Sequence, residues 1–155
     1  PFDAAIHFGK EDWPGVRYLP LMPETVVPVC APELLTEPLE DPSQILRYAL
    51  LHLDTRPRGW SRWLSALGVT QEPPAGMMFD QFSTMAQAAV YGLGVALLPT
   101  FSAEPYLRDG QLVLASTQTT QSIGNYYLVW PEDRAETAAL QSFKTWLDGQ
   151  TGQVL

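Results

Sequence analysis

AAVYGLGVALLP, residues 88–99, is the stretch on which the reading of this chain turns. A helix-like run of small and apolar residues leads into two glycines one residue apart, Gly92 and Gly94, and then into a short apolar strand that stops at Pro99. A glycine loop that cradles phosphate has the opposite order: strand, then glycines, then a helix whose free first amides face the anion. Here the glycines follow a helix and precede a strand. That is where glycine supplies a left-handed helix end and a tight turn into the next strand. The stretch predicts a structural corner, with Gly92 or Gly94 at positive φ, and no nucleotide loop.

Outward from this corner, strand-like and helix-like segments alternate. Phe82, Met85, Ala86, Ala89, Val90 and Leu93 fall on one helical stripe, with Asp80 or Ser83 placed to cap its first amides. Trp60, Trp63, Leu64 and Leu67 recur at i, i+3, i+4 and i+7, a helix face stopped by Gly68. FDAAIHF (2–8), VRYLPLM (16–22) and TVVPVC (25–30) read as three opening strands, the last two parted by Pro23-Glu24. APELL (31–35) and DPSQILRYA (41–49) read as short helices, with Pro32 and Pro42 in first-turn positions and Asp41 as a cap. LLHL (50–53), GMMF (76–79), VALLP (95–99), QLVLA (111–115) and YYLVW (126–130) supply further strands. Ala139, Leu140, Phe143, Trp146 and Leu147 make the last helix amphipathic, with PEDRAE (131–136) as its capped start. Units repeated in this way predict an α/β fold with a largely parallel sheet.

Composition narrows the function. The 155 residues suffice for one ordinary domain or two small lobes with a buried core. Hydrophobic residues make up 46% and charged residues 17%, and no apolar run approaches the roughly 18 residues of a membrane span. No secretory leader pattern opens the chain. A net charge of −8, with only nine scattered Lys and Arg, argues against this stretch docking on a phosphate backbone. The single cysteine, Cys30, excludes an internal disulfide and a Cys-based zinc site, and suits a reducing cytoplasm.

Candidate chemistry is sparse. Cys30 could be a nucleophile at a helix start, but no fixed His and acid partner accompanies it, and a small core residue fits the burial habit of free cysteine better. His52 alternates with leucines as a strand residue does, and His7 has no acidic or histidine neighbour at ligand spacing, so neither a catalyst nor a metal site is expected. The loop DTRPRGW (54–60) is more informative: it follows a strand end, where α/β sheets bind ligands, and offers Thr55, Arg56, Arg58 and Trp60 together. A carboxylate or other anion suits it. The competing reading pairs the arginines with surface acids and puts Trp60 in the core. FDQFST (79–84) places Phe82 and the hydroxyls of Ser83 and Thr84 at a helix start, where free amides hold polar or anionic groups.

FDAAIHFGKEDWPG, LPLMPETVVPVCAPELL, LLHLD, GWSRWLSALG, AAVYGLGVALLP, DGQLV and YYLVWPED through FKTWLDGQ follow one another in a characteristic order and spacing. That order resembles the effector-binding domain of LysR-type transcriptional regulators, in the branch that holds the glycine-cleavage activator and the β-lactamase regulator. The resemblance spans nearly the whole chain. It implies a two-lobed, periplasmic-binding-protein-like (type 2) fold, with residues 1–23 and 128–155 in a partial first lobe and 24–127 forming a complete second lobe. The winged helix-turn-helix, the linker helix and the units that precede FDAAI in such domains are absent from this chain.

The function the resemblance implies is sensing, not catalysis. A small polar or anionic metabolite would bind between the lobes and control DNA binding by a separate N-terminal domain. The assembly would be a cytoplasmic homodimer or homotetramer, without cofactor, metal or membrane. The resemblance also implies a ligand set, in which both loops and the strand near Val27–Val29 line the cleft: Thr55, Arg56, Trp60, Phe82, Ser83, Thr84, Val27 and Pro28. A periplasmic solute-binding protein of a transporter shares the architecture and is the alternative.

Overall fold

The computed structural model describes residues 4–133 and 136–154. In chain order the elements are β1 (Ala5–Gly9), β2 (Val16–Cys30), a 3-10 helix (Pro42–Arg47), β3 (His52–Leu53), α1 (Gly59–Ala66), β4 (Met78–Phe79) and α2 (Phe82–Val90). They continue with β5 (Ala96–Pro99), α3 (Thr100–Arg108), β6 (Val113–Leu114), β7 (Thr120–Pro131) and α4 (Ala138–Val154). Two compact units result: Pro1–Glu24 with Ser122–Leu155, and Thr25–Gln121. Both passages of the chain between them lie inside strands, β2 and β7.

In the Thr25–Gln121 unit the corner at Gly92 forms for the reason its sequence suggests. Gly92 has φ +83°, its N–H bonds the Ala89 carbonyl at 2.9 Å, and the N–H of Leu93 reaches back to the Ala88 carbonyl at 3.1 Å. These two bonds satisfy carbonyls that a helix end leaves without partners, and only glycine adopts the required backbone without strain. Gly94 serves differently. Its φ is not positive, but a Cβ there would lie 2.6 Å from the carbonyl oxygen of Ala49, which accepts the N–H of Val95 at 2.8 Å. The first glycine stops the helix and the second lets two backbones touch.

This unit has two buried clusters. One joins Val27, Val29, Leu51, Leu53, Met85, Ala86 and Leu98 under α2. The other joins Cys30, Ile45, Leu50, Trp60, Trp63, Leu64, Val95 and Leu97 under α1. The second half of β2 pairs antiparallel with β5 and, at Val29 and Cys30, with β6. In the other unit β1 pairs antiparallel with β7, from Ala5↔Val129 to Gly9↔Asn125, and β7 neighbours β2. Leu140 and Leu147 of α4 pack there on Leu21, Leu128 and Trp130. Lys144 Nζ lies 4.0 Å over the Trp130 ring and 3.1 Å from Glu136.

Several expectations need correcting. The two strands expected on either side of Pro23-Glu24 are one 15-residue strand, because proline's fixed φ is compatible with extended backbone and Glu24 is buried and hydrogen-bonded by Tyr126. APELL forms a turn closed by Leu34 N–H on the Ala31 carbonyl (3.0 Å), not a helix. DPSQILRYA does form a helical segment, of 3-10 type, and the Asp41 carboxylate accepts from Ser43 N–H at 3.0 Å, which lowers its pKa. The sheet is not largely parallel. Among the described residues, parallel pairing is confined to β3 with β4 and a Leu50–Val95 bridge.

At the helix ends, α2 is capped by neither Asp80 nor Ser83: Gln81 occupies the cap position without a side-chain cap bond. α3 has no counterpart in the expected elements, because Pro105 inside it reads as a breaker. The last helix starts at Ala138, with Thr137 Oγ1 accepting from Leu140 N–H at 3.1 Å, and Arg134 and Ala135 of PEDRAE lie outside the described residues. Of its expected apolar stripe, Leu140 and Leu147 face the cluster, whereas Phe143 and Trp146 stack on each other and stay exposed. Leu93 is likewise exposed, beyond the end of α2.

Candidate functional site

Two strand ends and one helix start build the candidate site, all in the Thr25–Gln121 unit. β3 and β4 pair in parallel, His52 with Met78 and Leu53 with Phe79, and the ladder is extended by Asp54 N–H on the Phe79 carbonyl at 2.8 Å. The chain leaving β3 therefore emerges beside the chain leaving β4. A tight turn follows, in which Arg56 N–H bonds the Leu53 carbonyl at 3.0 Å and Gly59 N–H bonds that of Arg56 at 3.0 Å. After β4 only Asp80 and Gln81 intervene before α2.

This parallel pairing brings the two predicted segments together. The Arg56 guanidinium lies 5.3 Å above the centroid of the Phe82 ring, a cation–π distance. Its Nη1 also donates to Thr55 Oγ1 at 3.2 Å and to the Thr55 carbonyl at 3.3 Å. Phe82 rests on the cluster that contains Val27, Leu53 and Met85, so the ring anchors the cation to the core. Ser83 and Thr84 are exposed in the first turn of α2, and Ser83 Oγ lies 3.5 Å from Gln81 Oε1. With no side-chain cap at Gln81, the positive end of the α2 dipole is open at the same place as a guanidinium and two hydroxyls. Such a set suits a carboxylate or a strongly polar group. Exposed Asp54 and Asp80 flank it and limit its net positive charge.

The remaining candidates sit elsewhere. Trp60 is buried at 3% exposure, its indole N–H donates to the Leu51 carbonyl at 2.8 Å, and its ring stands edge-on to Trp63. Val27 and Pro28 are buried in β2 opposite Leu98 and Leu97 of β5, and the Pro28 carbonyl accepts from Ala115 N–H. Arg58 is exposed at the cap position of α1. Gln81 carries no signal in the sequence, because glutamine is not a usual cap residue, and the open helix end shows only in the folded chain.

Cys30 is fully buried, and burial pushes its thiol up to about 11. A thiol at neutral pH and out of reach is not a nucleophile. We expect Cys30 to ignore a thiol reagent in the folded protein at pH 7 and to react stoichiometrically after denaturant is added; fast labelling without denaturant would contradict its burial. His52 bonds the Pro74 carbonyl at 3.1 Å. His7 does have an acidic neighbour, Asp12 at 3.4 Å, beside the Lys10 carbonyl at 2.9 Å and the Trp13 ring at 4.2 Å, which corrects the sequence reading. Among the described residues no group of three or more His, Cys, Asp or Glu side chains could hold a metal ion. No helix among them is long and apolar enough to cross a membrane.

Comparison with known proteins now places the fold. The family pattern of the LysR substrate binding domain matches residues 1–151. The chain is 39% identical over 151 residues to the HTH-type transcriptional activator AmpR of Rhodobacter capsulatus, covering 97% of this chain and 51% of that protein. It is 34% identical over 148 residues to the glycine cleavage system transcriptional activator of Escherichia coli K12, covering 94% of this chain and 48% of that one. The chain thus spans about half the length of the curated relatives it matches. The crystal structure of the effector domain of AmpR from Pseudomonas aeruginosa superposes with a TM-score of 0.87 at 29% identity, covering 97% of this chain and 72% of that one. With the pattern running over nearly its whole length and such relatives on either side, the chain belongs to the LysR substrate-binding domain family, the effector-binding domain of LysR-type transcriptional regulators.

Proposed function

We propose that this domain is the sensory part of a cytoplasmic transcription regulator and that it binds a small polar or anionic metabolite. DNA binding would then be carried by an N-terminal winged helix-turn-helix in a homodimer or homotetramer. One observation carries the ligand reading: Arg56, held over Phe82, meets the open start of α2 with Ser83 and Thr84. An ionised group leaving water needs both a counter-charge and hydrogen-bond donors, and this place offers both. Thr55 orients Arg56. Trp60, Val27 and Pro28 are buried in the same unit, Trp60 bonded to the Leu51 carbonyl just before β3 and Val27 in the cluster on which Phe82 rests. The curated relatives named above are transcriptional activators, which favours a sensor over the solute carrier of a transporter and over an enzyme.

The reading is tested in the full-length regulator with a promoter reporter. Ser83→Ala or Thr84→Ala should raise the effector concentration for half response about fivefold, the equivalent of the roughly 1 kcal/mol of a lost hydrogen bond, with promoter occupancy unchanged. Arg56→Ala should do at least as much. Wild-type responses from all three variants would put the binding site elsewhere.

A further inference from the structure

His7, on β1, is a histidine at 9% exposure inside a small aromatic enclosure, away from every residue of the candidate site. The loop that leaves β1, residues 10–15, folds back over its ring. Nε2 lies 2.9 Å from the Lys10 carbonyl and 3.4 Å from Asp12 Oδ1. Both are acceptors, so Nε2 carries a hydrogen. The Trp13 ring is tilted over the imidazole at 4.2 Å between centroids, and Tyr18 of β2 stands edge-on to it at 6.1 Å. Tyr127 of β7, opposite His7 in the ladder, stacks on it at 6.2 Å. Trp13 is itself held in place: its N–H donates to the Tyr18 hydroxyl, and its carbonyl accepts from that hydroxyl at 3.2 Å. A Cβ on Gly9 would come 3.3 Å from Nε2, so glycine there leaves the ring its place. The titratable groups that face the imidazole are Asp12 from the loop, Tyr18 from β2 and Tyr127 from β7, and Lys10 faces it with its carbonyl.

We propose that His7 is a proton-operated latch on the loop 10–15: taking up a proton tightens the loop, and losing it loosens the loop. The neutral ring holds the loop by one N–H on the Lys10 carbonyl. A second proton brings a positive charge beside the Asp12 carboxylate and against the Trp13 indole, and both attractions exist only for the imidazolium. Asp12 is 68% exposed, which keeps its pull modest, and burial of the charge works against both. The net effect is therefore small, about threefold in the opening of the loop, with the closed loop favoured as pH falls. The latch needs neither the Arg56–Phe82 site nor an effector, and it gives the domain a response to protons where histidine changes charge.

The test is nuclear magnetic resonance on the 155-residue chain, whose only other histidine is His52. The probes are the amides of Asp12, bonded to the Lys10 carbonyl, and Trp13, bonded to Tyr18. Their solvent-exchange rates, each divided by that of an unstructured chain at the same pH, should rise about threefold from about pH 5.5 to about pH 8, the span of histidine titration. The Gly92 amide, bonded at the end of α2, should not change. His7→Gln keeps an N–H donor at every pH and should abolish the rise, Asp12→Asn and Trp13→Leu should each shrink it, and His52→Gln should leave it as in wild type. If His7→Gln does not fold, Asp12→Asn and Trp13→Leu decide. No rise in wild type would overturn the latch, as would a full rise in His7→Gln or in both Asp12→Asn and Trp13→Leu. A rise lost in His52→Gln would assign the response to the other histidine and overturn it as well.

Discussion

Replacing Gly94 by valine is expected to destabilise the domain by about 3 kcal/mol or more and to lower its Tm by about 10 °C or more, the upper range of overpacking effects. The added Cβ alone would sit 2.6 Å from the Ala49 carbonyl oxygen and 3.0 Å from Leu51 Cδ2. Relief requires β5 to move away from residues 49–51, and that movement breaks both Val95 N–H on Ala49 and Leu51 N–H on the Val95 carbonyl. Gly92→Val is the control. Nothing lies within 4 Å of a Cβ there, so only the left-handed backbone is penalised, by roughly 1–2 kcal/mol. Thermal unfolding of the two variants side by side checks the order, and an equal or larger loss at Gly92 would mean that the close approach at Gly94 is not tight.

Trp60→Ala is expected to cost about 3–5 kcal/mol, the scale for a large aromatic removed from a core. Its ring is buried against Trp63, and its N–H satisfies the carbonyl of Leu51, which would be left buried without that donor. Effector response should fall with it only because folded protein is lost. Urea midpoints measured alongside reporter output separate the alternatives: a stable Trp60→Ala variant with a specific loss of response would return Trp60 to the ligand set. Gly94 and Trp60 hold the same segment, residues 49–51, from two directions, so their effects should not add.

What the sequence made legible was local. Gly68 and Gly92 were readable as helix ends because a left-handed stop depends on backbone bonds that span only three and five residues. The second reason for a glycine at 94 lies 45 positions upstream at Ala49, and no window of local sequence contains it. Pro23-Glu24 looked like a break for the same cause, since the partner that makes Glu24 a strand residue is Tyr126. The two loops of the candidate site were each visible as strand-end and helix-start chemistry, but their meeting depends on the parallel register of two strands only two residues long, too short to be read as a pair. Trp60 was ambiguous beside Arg56 and Arg58, although its spacing to Trp63 and Leu64 already marked a core-facing stripe. Alternating units suggested a parallel sheet. The long strands β2 and β7 instead pair antiparallel with β5 and β1 respectively.

α2 is finished at one end and unfinished at the other. Its C-terminus closes with two backbone bonds through Gly92, while its N-terminal cap residue, Gln81, makes no side-chain cap bond. A molecule that bound there would supply what a Ser or Asp supplies elsewhere, so that recognition and completion of secondary structure become one event. Its affinity would then be drawn partly from suppressing the fraying of a single helical turn. The metabolite would be detected as the missing residue of a protein.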